Sequence, residues 1–587
     1  MITAKTLEDV ISTLSHVTRI DEFSATSSFP EFDQELVRPI IEEAGRLASE
    51  VLAPLNRTGD EHGAKLVDGD VIAAPGFKEA YDAFREGGWM SLAFPEEYSG
   101  QGLPQTMALP VMELIQAANM SFSLCPMLSF GAIEALMAHG TDEQKTTYLP
   151  KLVSGEWTGT MNLTEPQAGS DVGALKTKAE PIGDGSYAIT GQKIFITWGD
   201  HDLTDNIIHL VLARLPDAPA GSKGISLFLC PKFLLDDAGE PGERNGARCI
   251  GLEQKMGIHA SPTCVMEFDG AKGWMIGEPN KGLAAMFTMM NSARLQVGIQ
   301  GVAQSEAAYQ AARQYADERL QGRRPGEAGA AAIVRHADVQ NMLLNMRAKT
   351  LTARAICYEC ARAGDVAHTS NDDAAKTQAK WREEILTPIA KAWSTDIGVE
   401  MASLGVQVHG GMGFMGETLA AQIYRDARIA PIYEGTNGIQ AMDLVSRKLP
   451  MAGGKAIASM LDEYIRTAEE LKASADDSLK HVGKKLGAAI GILRQASDWL
   501  SANGPDGADA SMFGATAYLD MFGKVAGVHY LARGAMHAQS AGSNSAGELT
   551  DLALFLSEFD LSLVEGLLDR VRLGETLSYN RRMELLS

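Results

Sequence analysis

The sequence predicts a multidomain α+β protein in the order α, β, α, then additional α. Three observations carry this. The chain has 587 residues, more than one core usually organises, so two to four domains are expected. Its apolar residues recur at helical spacing, change to short runs bounded by turn residues, and then return to helical spacing. Breakers rich in Gly, Pro and Ser stand between these textures.

Residues 1 to about 158 read as helices, with helical spacing across residues 35–52 and 106–118 and breakers at Gly87-Gly88 and Ser99-Gly100-Gln101-Gly102. From about 159 to 280 short runs suggest a compact β domain: Tyr187-Ala188-Ile189-Thr190, Lys193-Ile194-Phe195-Ile196-Thr197, then residues 207–213, 224–230 and 264–268. Residues 281 to about 449 return to long helices, including 292–316, 334–363 and 380–404, with 319–332 as an interruption rich in Gly, Pro and Ala. After Met451-Ala452-Gly453-Gly454 a second helical region runs to the end, with loops near 501–510 and 540–547.

The formal charge of −23 disfavours a general nucleic-acid or anionic-membrane surface. The six cysteines are sparse and irregularly spaced, which suits reduced thiols in the cytoplasm, and the Cys357/Cys360 pair falls in a helical pattern where a structural role outweighs metal or redox chemistry. The N-terminus is acidic by Glu8 and Asp9, and no apolar run of the ~20 residues needed to span a bilayer is read. A soluble, unsecreted protein is expected.

The most informative segment is Ile432-Tyr433-Glu434-Gly435-Thr436-Asn437-Gly438-Ile439-Gln440, which follows Arg425-Asp426-Ala427-Arg428. A carboxylate among apolar residues loses hydration and gains basicity, which suits Glu434 to serve as a base toward an acidic C–H. Gly435 removes a side chain where a bulky substrate would lie against the backbone, and Thr436 adds a hydroxyl. Three further segments are candidates for ligand contact. In Met161-Asn162-Leu163-Thr164-Glu165-Pro166-Gln167-Ala168-Gly169-Ser170-Asp171, backbone N–H groups with Thr164 and Ser170 could bind ring heteroatoms or phosphate oxygens, and a plain β-domain turn is the equal alternative. Phe195 could lie against a flat ring or pack in the core. In residues 406–414 the glycines follow a helix, where the backbone can approach a ligand closely, and His409 alone is more often a packed imidazole than a catalyst. There is no P-loop pattern and no strand followed by G-x-G-x-x-G and a helix, so any dinucleotide is bound otherwise.

Taken in order, TEP-x-AGSD, the aromatic-Ile-Thr strand, Q-x-x-GG-x-G-F, RDAR and YEGTN resemble the acyl-CoA dehydrogenase family over about residues 40–450. The extra N-terminal helix and helical tail are most similar to an extended branch that includes 3-methylmercaptopropionyl-CoA dehydrogenases. The resemblance implies an N-terminal helical extension (1–40), an α-helical domain (41–158), a β-barrel domain (159–280), a four-helix bundle (281–450) and an additional C-terminal helical domain (451–587). It also implies FAD, in a homodimer or dimer of dimers. Met161, Leu163, Thr164, Gly169, Ser170, Phe195, Ile196 and Thr197 would contact the flavin, with Ser170 also near substrate. Arg319, Gln407, Gly410, Gly411, Thr436 and Gly438 would hold the rest of FAD, several from a neighbouring subunit, while Asn291 and Arg294 would contact CoA and Gly435 the thioester region. The chain departs from the family's frequent residues at Phe195, Asn291 and Gly438, and matches RxxFG only in part at 319–322. Some members place the base just before the substrate-contacting Arg; Ala293 stands there, so Glu434 has no rival.

The implied reaction is α,β-dehydrogenation of an acyl-CoA to the trans-2-enoyl-CoA: Glu434 takes the α proton as hydride leaves for flavin N5. The Glu434 N–H and a flavin ribityl hydroxyl would form the oxyanion hole. The branch favours a short acyl chain such as 3-methylmercaptopropionyl-CoA, converted to 3-methylthioacryloyl-CoA in dimethylsulfoniopropionate catabolism, with an electron-transferring flavoprotein as acceptor. The alternatives are a medium- or long-chain dehydrogenase of β-oxidation and an acyl-CoA oxidase. A non-catalytic nucleic-acid-binding homologue is disfavoured, since Asp and Glu outnumber Lys and Arg by 18 to 13 over residues 455–587. Helix packing accounts for the apolar stretches of the tail more cheaply than membrane insertion does.

Overall fold

In the middle of the chain, short runs of alternating or fully apolar residues form a sheet whose path returns to its start. The computed structural model describes residues 2–25, 29, 32–326, 328–503 and 508–587, so the loop expected near 501–510 lies partly outside the described residues. Two units emerge: Ala44–Pro104 with Leu114–Ala293, and Met1–Glu43 with Gln105–Glu113 and Arg294–Ser587.

In the first of these, the strands Ile207–Ala213, Ser226–Pro231, Thr263–Ile276, Tyr187–Thr197 and Lys178–Pro181 pair antiparallel in that order. A parallel bridge from Lys178 to Arg214 then joins the last strand to the end of the first, which closes the barrel. Thr158–Asn162 adds in parallel beside Ile207–Ala213, and Ala247–Leu252 pairs with Thr263–Ile276. Inward-facing Ile189, Val211, Phe228, Met266 and Phe268 fill the interior. The helices of this unit include Phe77–Glu86, Met120–His139 and Asp142–Val153, the last opened by a capping box between Thr141 and Gln144. Phe77, Tyr81, Phe84 and Phe122 make an aromatic cluster that reaches Trp198, whose indole N–H donates to the Ser121 carbonyl at 3.1 Å.

Two expectations need correction. Residues 1–158 are not purely helical: Lys65–Val67 and Asp70–Ile72 form a hairpin around Asp68-Gly69, both with left-handed φ. An apolar helix of spanning length does exist, Met120–His139, but 83% of its most apolar window is buried inside the protein.

In the other unit, the helix Gly282–Glu318 contributes from Arg294 onward and packs with Ala337–Thr369 and Asp373–His409. Glycines set the closest crossing: a Cβ at Gly298 would lie 2.6 Å from the Ala390 carbonyl and one at Gly301 2.1 Å from that of Ser394. At its centre Arg354, fully buried, donates to Glu113 at 2.6 Å and Glu306 at 2.9 Å. The tail helix Ala508–Ser540 lies against the bundle, where Gly523 meets the ring of Trp393. The N-terminal helix Ala4–Ser12 belongs here too, since Thr6 donates to Glu306 at 2.9 Å and Arg347 bridges Asp9 and Glu548 at 3.1 and 2.6 Å. Cys357 and Cys360 are buried in Ala337–Thr369, and burial lifts the Cys357 thiol to about 12.

Candidate active site

In the β unit, the 161–171 segment is tied down by one carboxylate. Glu165 is buried and accepts from Thr177 N–H at 3.0 Å, Thr177 Oγ1 at 2.6 Å, Lys176 N–H at 2.6 Å, Gln167 Nε2 at 2.6 Å and Lys193 Nζ at 2.9 Å. The Lys193 ammonium also donates to the Leu163 carbonyl at 3.1 Å, so it clamps the loop from two sides. Met161, Leu163 and Thr164 remain partly exposed and Gly169 and Ser170 are exposed, which leaves the Thr164 and Ser170 hydroxyls open to a ligand.

Phe195 is not a core residue. Between Lys193 and Ile196 the strand has two residues opposite the single Val265, a β-bulge, and Phe195 sits in it with φ +59. The extra residue reverses the alternation, so Lys193 and Ile196 point inward while Phe195 stands 58% exposed. An aromatic face held outward beside Thr197 and the open 161–170 segment is a fitting platform for a flat heteroaromatic ring with a polar edge. The residues present therefore fit a flavin. Asn291 of this unit is half-exposed on the helix Gly282–Glu318.

In the helical unit, Glu434 occupies a tight turn with φ +53, followed by Gly435 at φ +83. A non-glycine residue in that region stores about 1–3 kcal/mol of strain unless the surroundings over-determine it. They do. Thr436 caps the helix Asn437–Asp443, Gln440 Nε2 donates to the Glu434 carbonyl at 3.2 Å, and Tyr433 donates to Gln300 Oε1 at 2.5 Å. Asn437 is held by the helix Asp373–His409: it donates to Asp396 Oδ1 at 2.7 Å and the Ala392 carbonyl at 3.0 Å, and accepts from Lys391 Nζ at 2.8 Å. Glu434 keeps some surface open, yet burial of its carboxyl raises the pKa, offset in part by Arg294 and Lys391.

Those two cations are themselves buried. Arg294 lies 3.6 Å from Asp443, and its Nε has no partner among the described residues, which leaves a donor for a ligand. Burial brings Lys391 down to about 8 against the pull of Glu434 and Asp396. Gly438 is exposed at the start of its helix. Gln407, Gly410 and Gly411 are exposed at the end of Asp373–His409, and a Cβ at either glycine would meet nothing within 4 Å. That opening suits a bulky ligand lying along the backbone. His409 is accounted for otherwise, since it stacks on Tyr315 and pairs with the Gly405 carbonyl at 2.7 Å. Arg319 is exposed where residues 320–332 begin.

Sequence reasoning missed Lys391 and Lys193. The signal for each was a lone lysine in an apolar run, Ile389-Ala390-Lys391-Ala392-Trp393 and Lys193-Ile194-Phe195-Ile196.

Comparison with known proteins gives the family. Profiles of the acyl-CoA dehydrogenase N-terminal, middle and C-terminal domains match residues 34–156, 160–271 and 280–449, and an acetyl-CoA dehydrogenase C-terminal-like profile matches 458–559. The chain is 44% identical, over 91% of both chains, to 3-methylmercaptopropionyl-CoA dehydrogenase of Ruegeria pomeroyi. It is 37% identical, over 74% of this chain and 73% of the relative, to butyryl-CoA dehydrogenase of Syntrophomonas wolfei. Among solved structures, an acyl-CoA dehydrogenase complexed with FAD from Bacillus anthracis shares the fold, with a TM-score of 0.76 at 23% identity over 95% of this chain and 91% of that one. With three consecutive domains matched and the carboxylate turn built around Glu434, the chain belongs to the acyl-CoA dehydrogenase family.

Proposed function

We propose that this protein oxidises a short acyl-CoA thioester to the trans-2-enoyl-CoA with FAD, and that 3-methylmercaptopropionyl-CoA, giving 3-methylthioacryloyl-CoA, is its preferred substrate. The observation that carries the reaction is Glu434: a carboxylate of raised pKa in a strained, over-determined turn, acted on by the charges of Arg294 and Lys391. A thioester acidifies the C–H beside its carbonyl, and a base with its affinity for protons raised by burial is matched to that task. Glu434 takes the α proton. The residues that would hold FAD would thereby supply an acceptor for the β hydrogen, which leaves as hydride. The Gln440 bond to the Glu434 carbonyl helps to hold the turn, from which the Glu434 N–H would meet charge growing on the thioester oxygen.

Phe195, Thr197, Met161, Leu163, Thr164, Gly169 and Ser170 contact the flavin, and Ile196, whose side chain is in the barrel core, does so only through its backbone. Arg319, Gln407, Gly410, Gly411, Thr436 and Gly438 hold the remainder of FAD, partly across a homodimer or dimer of dimers. Asn291 and Arg294 meet CoA, with Ser170 and Gly435 near the acyl thioester. The 44% identity to the Ruegeria pomeroyi enzyme, over 91% of both chains, supports the substrate. The enzyme works in the cytoplasm without inserting into a membrane and passes electrons to an electron-transferring flavoprotein. The test compares kcat/KM for 3-methylmercaptopropionyl-, butyryl-, octanoyl- and palmitoyl-CoA with an artificial acceptor, and a preference for palmitoyl-CoA overturns the substrate. Stoichiometric hydrogen peroxide without that acceptor would make it an oxidase.

A further inference from the structure

We propose that Lys391 is a positioning residue for the base: its ammonium, tethered to Asn437 three residues after Glu434, holds positive charge near that turn and sets the pH at which the carboxylate can accept a proton. This rests on the reading of Glu434 as the base.

Lys391 has no exposed surface, on a helix face that meets the crossing point of Gly298 and Gly301. A lysine there loses the hydration of its ammonium, so an uncompensated one would be expelled or neutralised. It is retained by a specific acceptor. Asn437 Oδ1 takes its hydrogen bond at 2.8 Å, and the same amide is oriented by donating to Asp396 and to the Ala392 carbonyl on the turn that follows Lys391. Thus one turn of the helix Asp373–His409 grips the residue three places after Glu434 and aims a cation at the carboxylate's segment. Arg294 supplies a second cation from the helix Gly282–Glu318, but Asp443 engages it at 3.6 Å, whereas the side-chain hydrogen bond of Lys391 goes to a neutral amide. The charged and titratable groups acting around the pair are Arg294, Asp396, Asp426 and Tyr433. Burial raises the proton affinity of Glu434, and a buried cation draws it back down.

The test is Lys391→Gln in the flavin-loaded enzyme, which keeps a donor for Asn437 and removes the charge. The acid limb of kcat/KM should move up by about one pH unit, with the alkaline plateau largely kept, and Lys391→Arg should return it toward the parent. Asn437→Ala, which frees the ammonium, should move the limb the same way by less, and it carries the test if Lys391→Gln does not accumulate. A second readout needs no turnover: the melting temperature of each protein minus that of its Glu434→Gln counterpart, followed against pH, reports the same carboxyl. Its midpoint should shift with the limb. Limbs and midpoints that coincide with the parent, while Glu434→Gln is inactive, overturn the role of Lys391; an active Glu434→Gln instead overturns the base itself.

Discussion

Two glutamates, Glu165 in the β unit and Glu434 in the helical unit, both lose hydration to burial, and their pKa values move in opposite directions. At Glu165 burial pushes the pKa up, but Lys193 and the donors of Thr177 and Lys176 outweigh it and carry the carboxyl down to about 2. At Glu434 burial wins, and the charges of Arg294 and Lys391 offset only part of it. Hydrogen bonds made directly to both oxygens turn Glu165 into a permanent anion that organises a loop. Cations held at a distance from Glu434 leave its proton affinity available. The same functional group becomes scaffold or base according to what its neighbours donate.

Replacing each carboxylate system should break this comparison in different ways. Glu434→Gln keeps the shape and loses the base, so flavin absorbance should persist while kcat drops by about 10³-fold, within the usual range for removing a general base. Stopped-flow reduction of the flavin by substrate measures it, and normal reduction would remove Glu434 from the mechanism. Lys193→Met leaves Glu165 charged, buried and short of its ion pair, a loss of about 3–5 kcal/mol. It should appear as a lower melting temperature and weakened flavin retention, and adding Glu165→Gln should recover part of it. A melting curve unchanged in Lys193→Met would mean that the pair does not hold the loop.

The pH dependence sharpens the contrast. The depressed pKa of Glu165 gives stability that is present above its ordinary value of 4.5 and lost as pH falls toward about 2. Glu434 behaves the other way: its raised pKa means that ionising it costs stability, while activity requires that ionisation. On acidification the rate should therefore fail first, over a range where melting temperature and flavin fluorescence still report a folded protein. Coincident loss of rate and fold would show that one event, not two carboxylates, governs both.

Much of this is legible in the sequence where the physics is local. Glu434 stands out because a charge set among apolar residues and glycines costs hydration that only a specific task repays, and the run at 207–213 is a strand over the same span. Thr158–Asn162, a strand buried along nearly its whole length, lacks alternation and so carries no period by which to recognise it. The Asp68-Gly69 hairpin has its turn signal inside a region dominated by helical spacing. The outward turn of Phe195 depends on counting residues against a partner strand about seventy positions away, and Lys391 meets Asn437 across 46. Composition alone holds no trace of such pairings. Nor does it show that Thr6 reaches Glu306, across 300 residues, to anchor the N-terminal helix.

The smallest expected effect separates geometry from charge at the base. Gly435 has φ +83, and a Cβ there would lie 2.7 Å from Gln440 Nε2, the atom that donates to the Glu434 carbonyl. Gly435→Ala must therefore strain the turn and displace that amide, at a cost of about 1–2 kcal/mol. Because neither Arg294 nor Lys391 is touched, kcat should fall several-fold while the acid limb of the pH profile stays where it was. A limb that moves with Gly435→Ala would mean that the peptide's orientation, rather than the buried cations, sets the proton affinity of Glu434.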